Sequence, residues 1–397
     1  MKLRIGVIAR EFPPDVGGMA VLGEHVVRGL SSTDDVVVFT REGWGVNEHA
    51  FRHEPILTGS PYRDAGRLGS WRVDVWLALN ARYAVIAGEL KDPMCIYCHG
   101  NDFLRQVHTT NPIADRVFEK FGPLRRFHAP VANYFGQREF RRAVPAIRQF
   151  FTNSEYTATL FERCYGRRPI VVYPGVDNRY FVERDTVNGS RDVLRLLTVS
   201  RLSSTSARKN IDGVLKAVSL LPEGLHVRYT VVGEGNDRQR LETLAQELEL
   251  GDRVRFAGRI AIEELVREYQ RADLFVLAPK ASKRDVEGFG MVYLEACASG
   301  TPVLCSREAG VTEVVVDGKT GIVVQCSDPY GIADGIVRFA SSREEIDAQA
   351  IRRFATKFQW PAVVGRLRGH LEAALRSTNH TGRVIGNRGL TGSVRRR

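Results

Sequence analysis

The sequence predicts an α/β protein with two Rossmann-like domains, each a parallel sheet covered by helices, facing each other across a cleft. Short apolar runs of strand length alternate with amphipathic helical patterns along most of the chain. This order is typical of parallel sheets with helices on both faces. The runs are too many for one modest sheet, and 397 residues suffice for two domains at roughly 150 residues each.

The predicted strands form two series, separated by the polar segment Phe181–Asp192. The first series is Ile5–Ala9, Val36–Phe39, Cys95–Cys98, Gln149–Thr152 and Ile170–Tyr173. The second is Leu194–Val199, Arg228–Val232, Val254–Phe256, Leu274–Leu277, Val303–Cys305 and Ile322–Val324. Amphipathic stretches such as Arg238–Leu250 and Ile262–Arg271 are the predicted helices between strands. We therefore expect an N-terminal domain over 1–180 and a C-terminal domain over 190–358.

Two further segments follow the second domain. Trp360–Leu375 is predicted to be a helix opened by Pro361, because proline is favoured in the first helical turn. We expect this helix, over about 360–375, to pack back on the N-terminal domain. Residues 378–397 are rich in Gly and Arg and are expected to be a disordered basic tail.

The composition excludes several classes of protein. With 43% hydrophobic and 26% charged residues, the chain is neither wholly disordered, collagen-like nor a small disulfide scaffold. A net charge of +11 favours polyanions, anionic membrane surfaces or phosphorylated ligands. A nucleic-acid-binding protein is one alternative, given the Arg395–Arg397 end. No recognised nucleic-acid module accompanies the charge, so no nucleic-acid partner is predicted.

Cysteine usage and apolar runs predict a cytoplasmic protein. Six cysteines are too sparse for a disulfide framework. Cys95 and Cys98 form a C-x-x-C within a predicted strand, where residues three apart face opposite ways, so we expect buried thiols. The apolar run in the opening MKLRIGVIA is short for a signal peptide. The apolar window Val73–Leu90 is interrupted by charged residues, so no membrane span is predicted.

The first candidate site residues are Gly17 and Gly18, between the first strand and a helix starting near Met19. Glycines at such a junction let a phosphate or sugar approach the backbone beside a helix N-terminus. The pattern is not G-x-G-x-x-G, so it is weak support for a nicotinamide site. A tight turn that needs a positive φ is an equal alternative.

A pair of cations forms the second candidate. Arg201 lies at the carboxyl end of a predicted strand, and Lys209 just precedes the predicted helix Ile211–Leu220. Ligands of doubly wound sheets bind at that edge, and one forked and one compact cation suit a diphosphate. The alternative is a solvated loop, because Arg208 and Lys209 are neighbours in a polar stretch.

The third candidate is Glu287 and Glu295, separated by seven residues with glycines between them. If both lie along one helix, they are about 12 Å apart in rise, comparable to the length between the ends of a nucleotide diphosphate-sugar. The amides near Gly290 would then meet the phosphates. Glu295 would accept hydrogen bonds from ribose hydroxyls and Glu287 would reach the sugar. Two surface glutamates are the alternative, but the buried character of Ala296–Val303 argues against it.

These motifs resemble the family-4 glycosyltransferases, which have the GT-B fold, over about residues 3–375. In that family an E-x7-E motif, an Arg and Lys pair and a Gly-Gly loop occupy these places. The segments Val232–Gly235, Phe256–Ile260 and Pro174–Asp177 are also similar to family signatures. The resemblance implies a donor site that also includes the following residues: Gly233, Arg259, Ile260, Phe289, Gly290, Met291 and Val292. Of these, Arg259 and Ile260 would lie by the nucleotide base.

His99–Asp102, with the sequence HGND, resembles the H-G-x-D found in part of the family. The resemblance implies that His99 contacts the donor sugar from the opposing domain. A satisfied core histidine is the alternative. Asp102 is expected either to orient the acceptor or to cap the next turn, and the sequence leaves both open.

The function implied by the resemblance is a retaining hexosyltransferase that needs no metal and no cofactor, with a UDP- or GDP-sugar as donor. Arg201, Lys209 and helix amides would neutralise the leaving diphosphate, with Glu287 and His99 as the other catalytic residues. The acceptor hydroxyl would attack from the leaving-group face. The expected acceptor is a lipid-linked saccharide of polysaccharide or glycolipid biosynthesis. A small soluble acceptor or a GT-B nucleotide-sugar 2-epimerase are the alternatives.

A basic and aromatic stretch, Arg116–Arg148, suggests contact with the anionic inner face of the cytoplasmic membrane. Its basic residues are Arg116, Lys120, Arg125, Arg126, Arg138, Arg141, Arg142 and Arg148. Its phenylalanines are Phe118, Phe121, Phe127, Phe135 and Phe140. Basic side chains are attracted to anionic lipid, and rings that face outward add apolar binding. The alternative is a solvated helix with its rings in the core.

Overall fold

The computed structural model describes residues 2–15, 17–43, 51–104, 125–182, 192–280, 286–307 and 310–376, with the side chains of 125–132 and 344 outside this description. The described strands form two sheets, and every pairing within them is parallel. The expected tail over 378–397 and most of the polar boundary segment lie outside the described residues.

The first sheet has seven strands in the order β3-β2-β1-β4-β5-β6-β7. Its strands are β1 Arg4–Ile8, β2 Asp35–Arg41, β3 Arg52–Leu57, β4 Val75–Ala78, β5 Met94–Cys98, β6 Gln149–Thr152 and β7 Ile170–Val171. Helices on both faces bury it, and a separate hydrophobic cluster fills each side. Its helices are α1 Gly18–Ser31, α2 Pro61–Leu68, α3 Asn101–Leu104, α4 Arg125–Ala143 and α5 Glu155–Tyr165.

The second sheet has six strands in the order β10-β9-β8-β11-β12-β13. Its strands are β8 Val193–Val199, β9 His226–Val232, β10 Val254–Gly258, β11 Leu274–Val276, β12 Val303–Ser306 and β13 Gly321–Val324. Its helices are α6 Ile211–Ser219, α7 Arg238–Glu247, α8 Ile262–Arg271, α9 Met291–Ala298, α10 Pro329–Ser342 and α11 Ala348–Ala355. Two hydrophobic clusters cover its faces.

Every predicted strand is present, which confirms the alternating pattern. The sequence analysis missed two strands, β3 and β4. β3 is an edge strand whose polar residues are mostly half-buried or exposed, so it lacks an apolar run. β4 is fully buried and lies inside the apolar window Val73–Leu90, whose length obscured the strand. Among the described residues, no helix combines the length and apolar character needed to span a bilayer.

The prediction for the C-x-x-C is confirmed. Cys95 and Cys98 are both fully buried in β5. The Cys95 side chain belongs to the hydrophobic cluster on one face of the first sheet, and the Cys98 side chain belongs to the cluster on the other face. Burial raises the pKa of the Cys95 thiol to about 12. The two sulfurs therefore diverge and act as small apolar groups.

The last helix, α12 Trp360–Arg376, returns to the first sheet. Its apolar side chains Val363, Val364 and Leu367 join the hydrophobic cluster that includes α1. On its polar side, Arg368 donates to the buried Asp34 carboxylate at 2.7 Å. The chain thus connects the two domains twice, once after β7 and once just before α12.

The two connecting segments run side by side and contact each other near Val176 and Gln359. The Val176 N–H donates to the Phe358 carbonyl at 2.8 Å, and the Trp360 ring stacks on His25 of α1 with centroids 4.6 Å apart. Gly175 lies directly against that ring: a β-carbon added there would be 2.4 Å from Trp360 Cδ2. This position has no room for a side chain.

We predict that Gly175→Ala lowers the free energy of unfolding by about 1–3 kcal/mol, because overpacking forces the Trp360 ring or the backbone to move. Gly365→Ala in α12 is the matched control, since nothing lies within 4 Å of its added β-carbon. Helical Gly→Ala changes stabilise by roughly 0.5–1 kcal/mol. Urea unfolding of the two variants should shift in opposite directions; equal midpoints would contradict the close packing.

Candidate active site

The carboxyl edges of the two sheets face each other, and the Gly17–Gly18 loop lies between them. A β-carbon on Gly17 would be 3.7 Å from Arg201 Nη1, and one on Gly18 would be 3.4 Å from Met291 Sδ. Four predicted site residues thus meet across the cleft. Gly17 has an extended backbone with φ 160° and ψ 164°, and Gly18 begins α1, so neither glycine takes the left-handed conformation that the tight-turn alternative requires. Their small size keeps the loop backbone open to the opposite domain.

Glu287 lies among cations at the bottom of this cleft. Its Oε2 is 2.6 Å from Lys209 Nζ and 3.5 Å from Arg208 Nη2. The Glu287 side chain is 10% exposed and those of Lys209 and Arg208 are each 17% exposed. Burial favours the neutral acid, but Lys209, Arg208 and Arg201 together hold the pKa of the Glu287 carboxyl below its usual value. Lys209 and Arg208 are therefore not in a solvated loop.

Asn210 holds Lys209 in this position. It is 1% exposed and has a left-handed backbone with φ 61°. Its side-chain amide donates to the Ala278 carbonyl at 2.9 Å and to the Ser327 carbonyl at 2.6 Å. These carbonyls follow β11 and β13, so Asn210 ties the start of α6 to the carboxyl edge of the sheet. Arg201 and Lys209 both line an open pocket at that edge.

The helix α9 begins later than the sequence analysis assumed. Gly290 has φ 80° and precedes the first helical residue, Met291. Glu287 therefore lies in the loop before the helix, and the expected rise of about 12 Å between the two glutamates along one helix is wrong. The half-buried Met291 and Val292 occupy the first turn, with Met291 facing Gly18. The positive end of the α9 dipole thus points into the cleft.

Glu295 has a different environment from Glu287. Tyr269 donates its hydroxyl hydrogen to Glu295 Oε2 at 2.8 Å, and the Tyr180 hydroxyl is a second partner. Burial raises the pKa of the Glu295 carboxyl to about 7, and these two hydrogen bonds only partly oppose that effect. The surface-glutamate alternative is wrong for both residues. Sequence reasoning missed the tyrosines, because contacts this distant in sequence leave no local pattern.

The remaining donor-site residues differ in what their side chains contact. The Phe289 ring is 2% exposed and packs against Tyr173 and Phe358 in the second core, so only its backbone is available to a donor. Gly233 has φ 135°, and a β-carbon there would be 1.8 Å from the Ser200 carbonyl, so glycine is required. Arg259 is exposed and Ile260 half-buried just after β10. Their contact with a base stays a prediction.

His99 and Asp102 lie at the end of β5, on the first domain's side of the cleft. The His99 ring is half-buried, with Nε2 3.1 Å from the Leu79 carbonyl. Both Asp102 oxygens accept backbone hydrogen bonds: Oδ1 from His99 N at 2.8 Å and Oδ2 from Ala81 N at 2.9 Å. These bonds join the end of β5 to the turn that begins at Ala81 and do not cap the turn after Asp102, and the orientation of an acceptor by Asp102 stays a prediction. The His99 carbonyl lies against Gly288, which brings His99 beside the Glu287 loop.

Arg208 is the site residue that sequence reasoning did not assign. Its signal is its position next to Lys209 in a basic pair, which the sequence analysis gives only as the reason for the solvated-loop alternative. In the structure its guanidinium reaches the same carboxylate as Lys209. One buried carboxylate therefore faces more positive than negative charge, which suits an anionic ligand.

Two facing parallel-sheet domains, with charged residues at the carboxyl edges between them, define the GT-B fold. Residues 186–357 match the family described as Glycosyl transferases group 1, which confirms the resemblance for this part of the chain. A sucrose-phosphate synthase from Thermosynechococcus elongatus has the same fold, with a TM-score of 0.74 at 19% identity, covering 94% of this chain and 99% of that one.

Two relatives are similar in sequence. A GDP-mannose-dependent alpha-(1-6)-phosphatidylinositol monomannoside mannosyltransferase from Mycobacterium tuberculosis is 30% identical over 54% of this chain. The chain spans 59% of the length of that relative. A GDP-mannose-dependent monoacylated alpha-(1-6)-phosphatidylinositol monomannoside mannosyltransferase from Corynebacterium glutamicum is 25% identical over 92% of this chain and 97% of its own length.

We predict that stability depends on pH through Glu295. Its folded pKa of about 7 lies above the ordinary value of 4.5, so the folded state holds more protons between these values and loses stability as pH rises through that window. Glu295→Gln cannot ionise, so its stability relative to wild type should increase by up to about 3 kcal/mol from pH 4.5 to pH 8. Urea unfolding at both pH values measures this; a constant difference would contradict the raised pKa.

Proposed function

We propose that the chain is a retaining, metal-independent glycosyltransferase that moves a hexosyl unit from a nucleotide diphosphate-sugar to a hydroxyl acceptor. The carrying observation is the Glu287 carboxylate among Lys209, Arg208 and Arg201, beside the N-terminus of α9. Among the described residues, three cations act on this one carboxylate, which suits a diphosphate. No cofactor besides the donor is proposed.

The site supports the reaction by electrostatics. Negative charge grows on the diphosphate as the glycosidic bond breaks, and preorganised cations and amides stabilise that change most in the transition state. Lys209 is held by the tethered Asn210, so it needs little rearrangement. Arg201, which lies across from Gly17, would close the other side of the diphosphate.

A double-displacement mechanism is not what this site suggests. Glu287 is ion-paired with Lys209 at 2.6 Å, which makes it a weak nucleophile, and Asp102 is engaged with two backbone amides. We therefore propose attack of the acceptor hydroxyl on the leaving-group face, with its proton passing to the departing phosphate. A 2-epimerase would need acid and base groups for elimination, and no observation here favours it.

The proposed donor is GDP-mannose and the proposed acceptor is a lipid-linked saccharide, in glycolipid or envelope polysaccharide synthesis. The support is the description of two sequence relatives as GDP-mannose-dependent mannosyltransferases acting on phosphatidylinositol mannosides. A UDP-sugar donor or a small soluble acceptor are the outcomes that a substrate screen would separate from this proposal.

We also propose reversible attachment to the inner face of the cytoplasmic membrane through α4. Tyr134 and Phe135 are 64% and 51% exposed, and the following exposed residues lie close along the same helix: Arg138, Arg141 and Arg142. Phe140 is fully buried, which agrees with the alternative of a ring in the core at this position. Arg148 donates to the Ala374 carbonyl, so we do not count it among the residues that would contact the membrane. Residues 116–124 lie outside the described part.

We predict that Lys209→Ala lowers kcat about 100-fold, because it removes a preorganised charge from the leaving group. Glu287→Ala should lower kcat more than it weakens donor binding. Lys216→Ala, an exposed lysine on α6, is the control and should retain wild-type turnover. Steady-state kinetics with GDP-mannose measure these effects. Wild-type kcat in Glu287→Ala would show that Glu287 has no catalytic role.

The proposed metal independence has its own test. Activity that EDTA abolishes and Mg²⁺ restores would refute it.

We predict salt-sensitive sedimentation with anionic vesicles, since each basic side chain near such a surface contributes about 1 kcal/mol and salt screens the attraction. Replacing Arg138, Arg141 and Arg142 together with Gln should release the protein without changing its affinity for GDP. Replacing Arg255, Arg267 and Arg271, exposed on the second domain, removes equal charge and should have no effect. Equal partitioning of both triple variants would contradict attachment through α4.

A further inference from the structure

The loop that carries Glu287 is held by residues of the first domain. The Val286 N–H donates to Asn101 Oδ1 at 3.0 Å. Two residues later, the Gly288 carbonyl accepts from the Ser154 hydroxyl at 2.5 Å, with the Thr157 hydroxyl 3.4 Å away. Both residues flanking Glu287 are therefore bonded across the cleft.

The described residues of this loop are closely packed. A β-carbon on Gly288 would be 2.5 Å from the His99 carbonyl, and one on Gly310 would be 2.3 Å from the Gly288 carbonyl. The Gly310 N–H also donates to the Glu287 carbonyl at 3.0 Å. The loop is thus packed between the first domain on one side and residues 310–313 on the other.

The segment behind the loop is bonded to the same helix of the first domain. The two carboxylate oxygens of Glu313 accept from Glu155 N and Tyr156 N, each at 2.8 Å. These are N-terminal amides of α5, which lack partners within the helix, and an anion there is further stabilised by the helix dipole. Ser154, the N-cap of α5, also accepts from Thr157 N at 3.0 Å.

We propose that the N-terminus of α5 positions the Glu287 loop for the transfer step, with Ser154 and Glu313 as positioning residues. Ser154 binds the loop directly, and Glu313 fixes the segment on which the loop rests. This proposal rests on the proposed function and adds a role for Ser154 of the first domain and Glu313 of the second domain.

The proposal predicts a separation between binding and turnover. The cations that would hold the diphosphate, Lys209, Arg208 and Arg201, all belong to the second domain. A nucleotide diphosphate should therefore still bind when the α5 contacts are lost. Turnover should fall, because the Glu287 loop would leave the geometry that the sugar and His99 require, and small misplacements cost large factors in rate.

Ser154 variants test the direct contact. Ser154→Ala leaves the buried Gly288 carbonyl without its shorter hydrogen bond, and we expect kcat to fall about tenfold while the Kd for GDP changes less than twofold. Ser154→Thr keeps the hydroxyl and should restore kcat. Because Ser154→Ala also removes a helix cap, the stability control is Asp328→Ala, which removes the cap of α10 from Gly331 N far from the loop.

Glu313→Gln tests the second contact, since one amide oxygen replaces two charged acceptors. We expect the same loss of kcat with GDP affinity retained. Glu162→Gln is the matched control, because Glu162 lies on α5 and pairs only at the surface with Arg168. Wild-type kcat in both Ser154→Ala and Glu313→Gln would overturn the proposal, as would a loss of kcat matched by Asp328→Ala or Glu162→Gln.

Amide hydrogen exchange over 286–290 gives a reading that does not depend on catalysis. Ser154→Ala and Glu313→Gln should speed exchange there, and the two control variants should not. If the wild type transfers no sugar from any nucleotide diphosphate-sugar, the proposed function fails, whereas unchanged exchange in both variants overturns the positioning role alone.

Discussion

The site depends on a buried carboxylate, Glu287, that lies among half-buried cations. Glu287 pairs with Lys209 at 2.6 Å while Arg208 lies 3.5 Å away, so the cluster carries excess positive charge at low exposure. Removing one partner of a buried pair commonly costs about 3–5 kcal/mol, which ties the loop before α6 to the loop before α9. Because three cations act on this one carboxylate, an anion suits the cluster, and a diphosphate is the anion we propose.

Parallel-sheet topology brings these distant residues together. Arg201 follows β8, Lys209 precedes α6 and Glu287 precedes α9, while β8 and β11 are neighbours in the second sheet. The sequence alone therefore predicted the edge where Arg201 and Lys209 lie, because each follows or precedes a clear apolar run. It did not predict β3, whose edge position permits polar residues, nor the start of α9, which the left-handed Gly290 sets locally. The Tyr180 and Tyr269 contacts to Glu295 arise only from packing.

One sequence motif supplies two carboxylates with opposite properties. Glu287 is buried and Glu295 is half-buried, and burial alone would raise both pKa values. Cations overcome this effect for Glu287. Glu295 instead has neutral tyrosine hydroxyls as hydrogen-bond partners and the Asp177 carboxylate nearby, and its pKa is about 7. Membership of one sequence motif thus says little about the charge state of a carboxyl group, because the neighbours of each residue decide it. Glu287 suits a permanently charged site, and Glu295 suits hydrogen bonding to neutral hydroxyl groups.

The division of the site between two domains gives the fold a physical role in the proposed reaction. The second domain carries the cations, and the first carries His99, the Gly17–Gly18 loop and the α5 N-terminus that contacts the Glu287 loop. A diphosphate can therefore be held by one domain, while the geometry around the sugar requires both. Interactions that form only when the domains meet act on the transition state more than on nucleotide binding. On this reasoning, the contacts between α5 and the Glu287 loop control turnover rather than affinity.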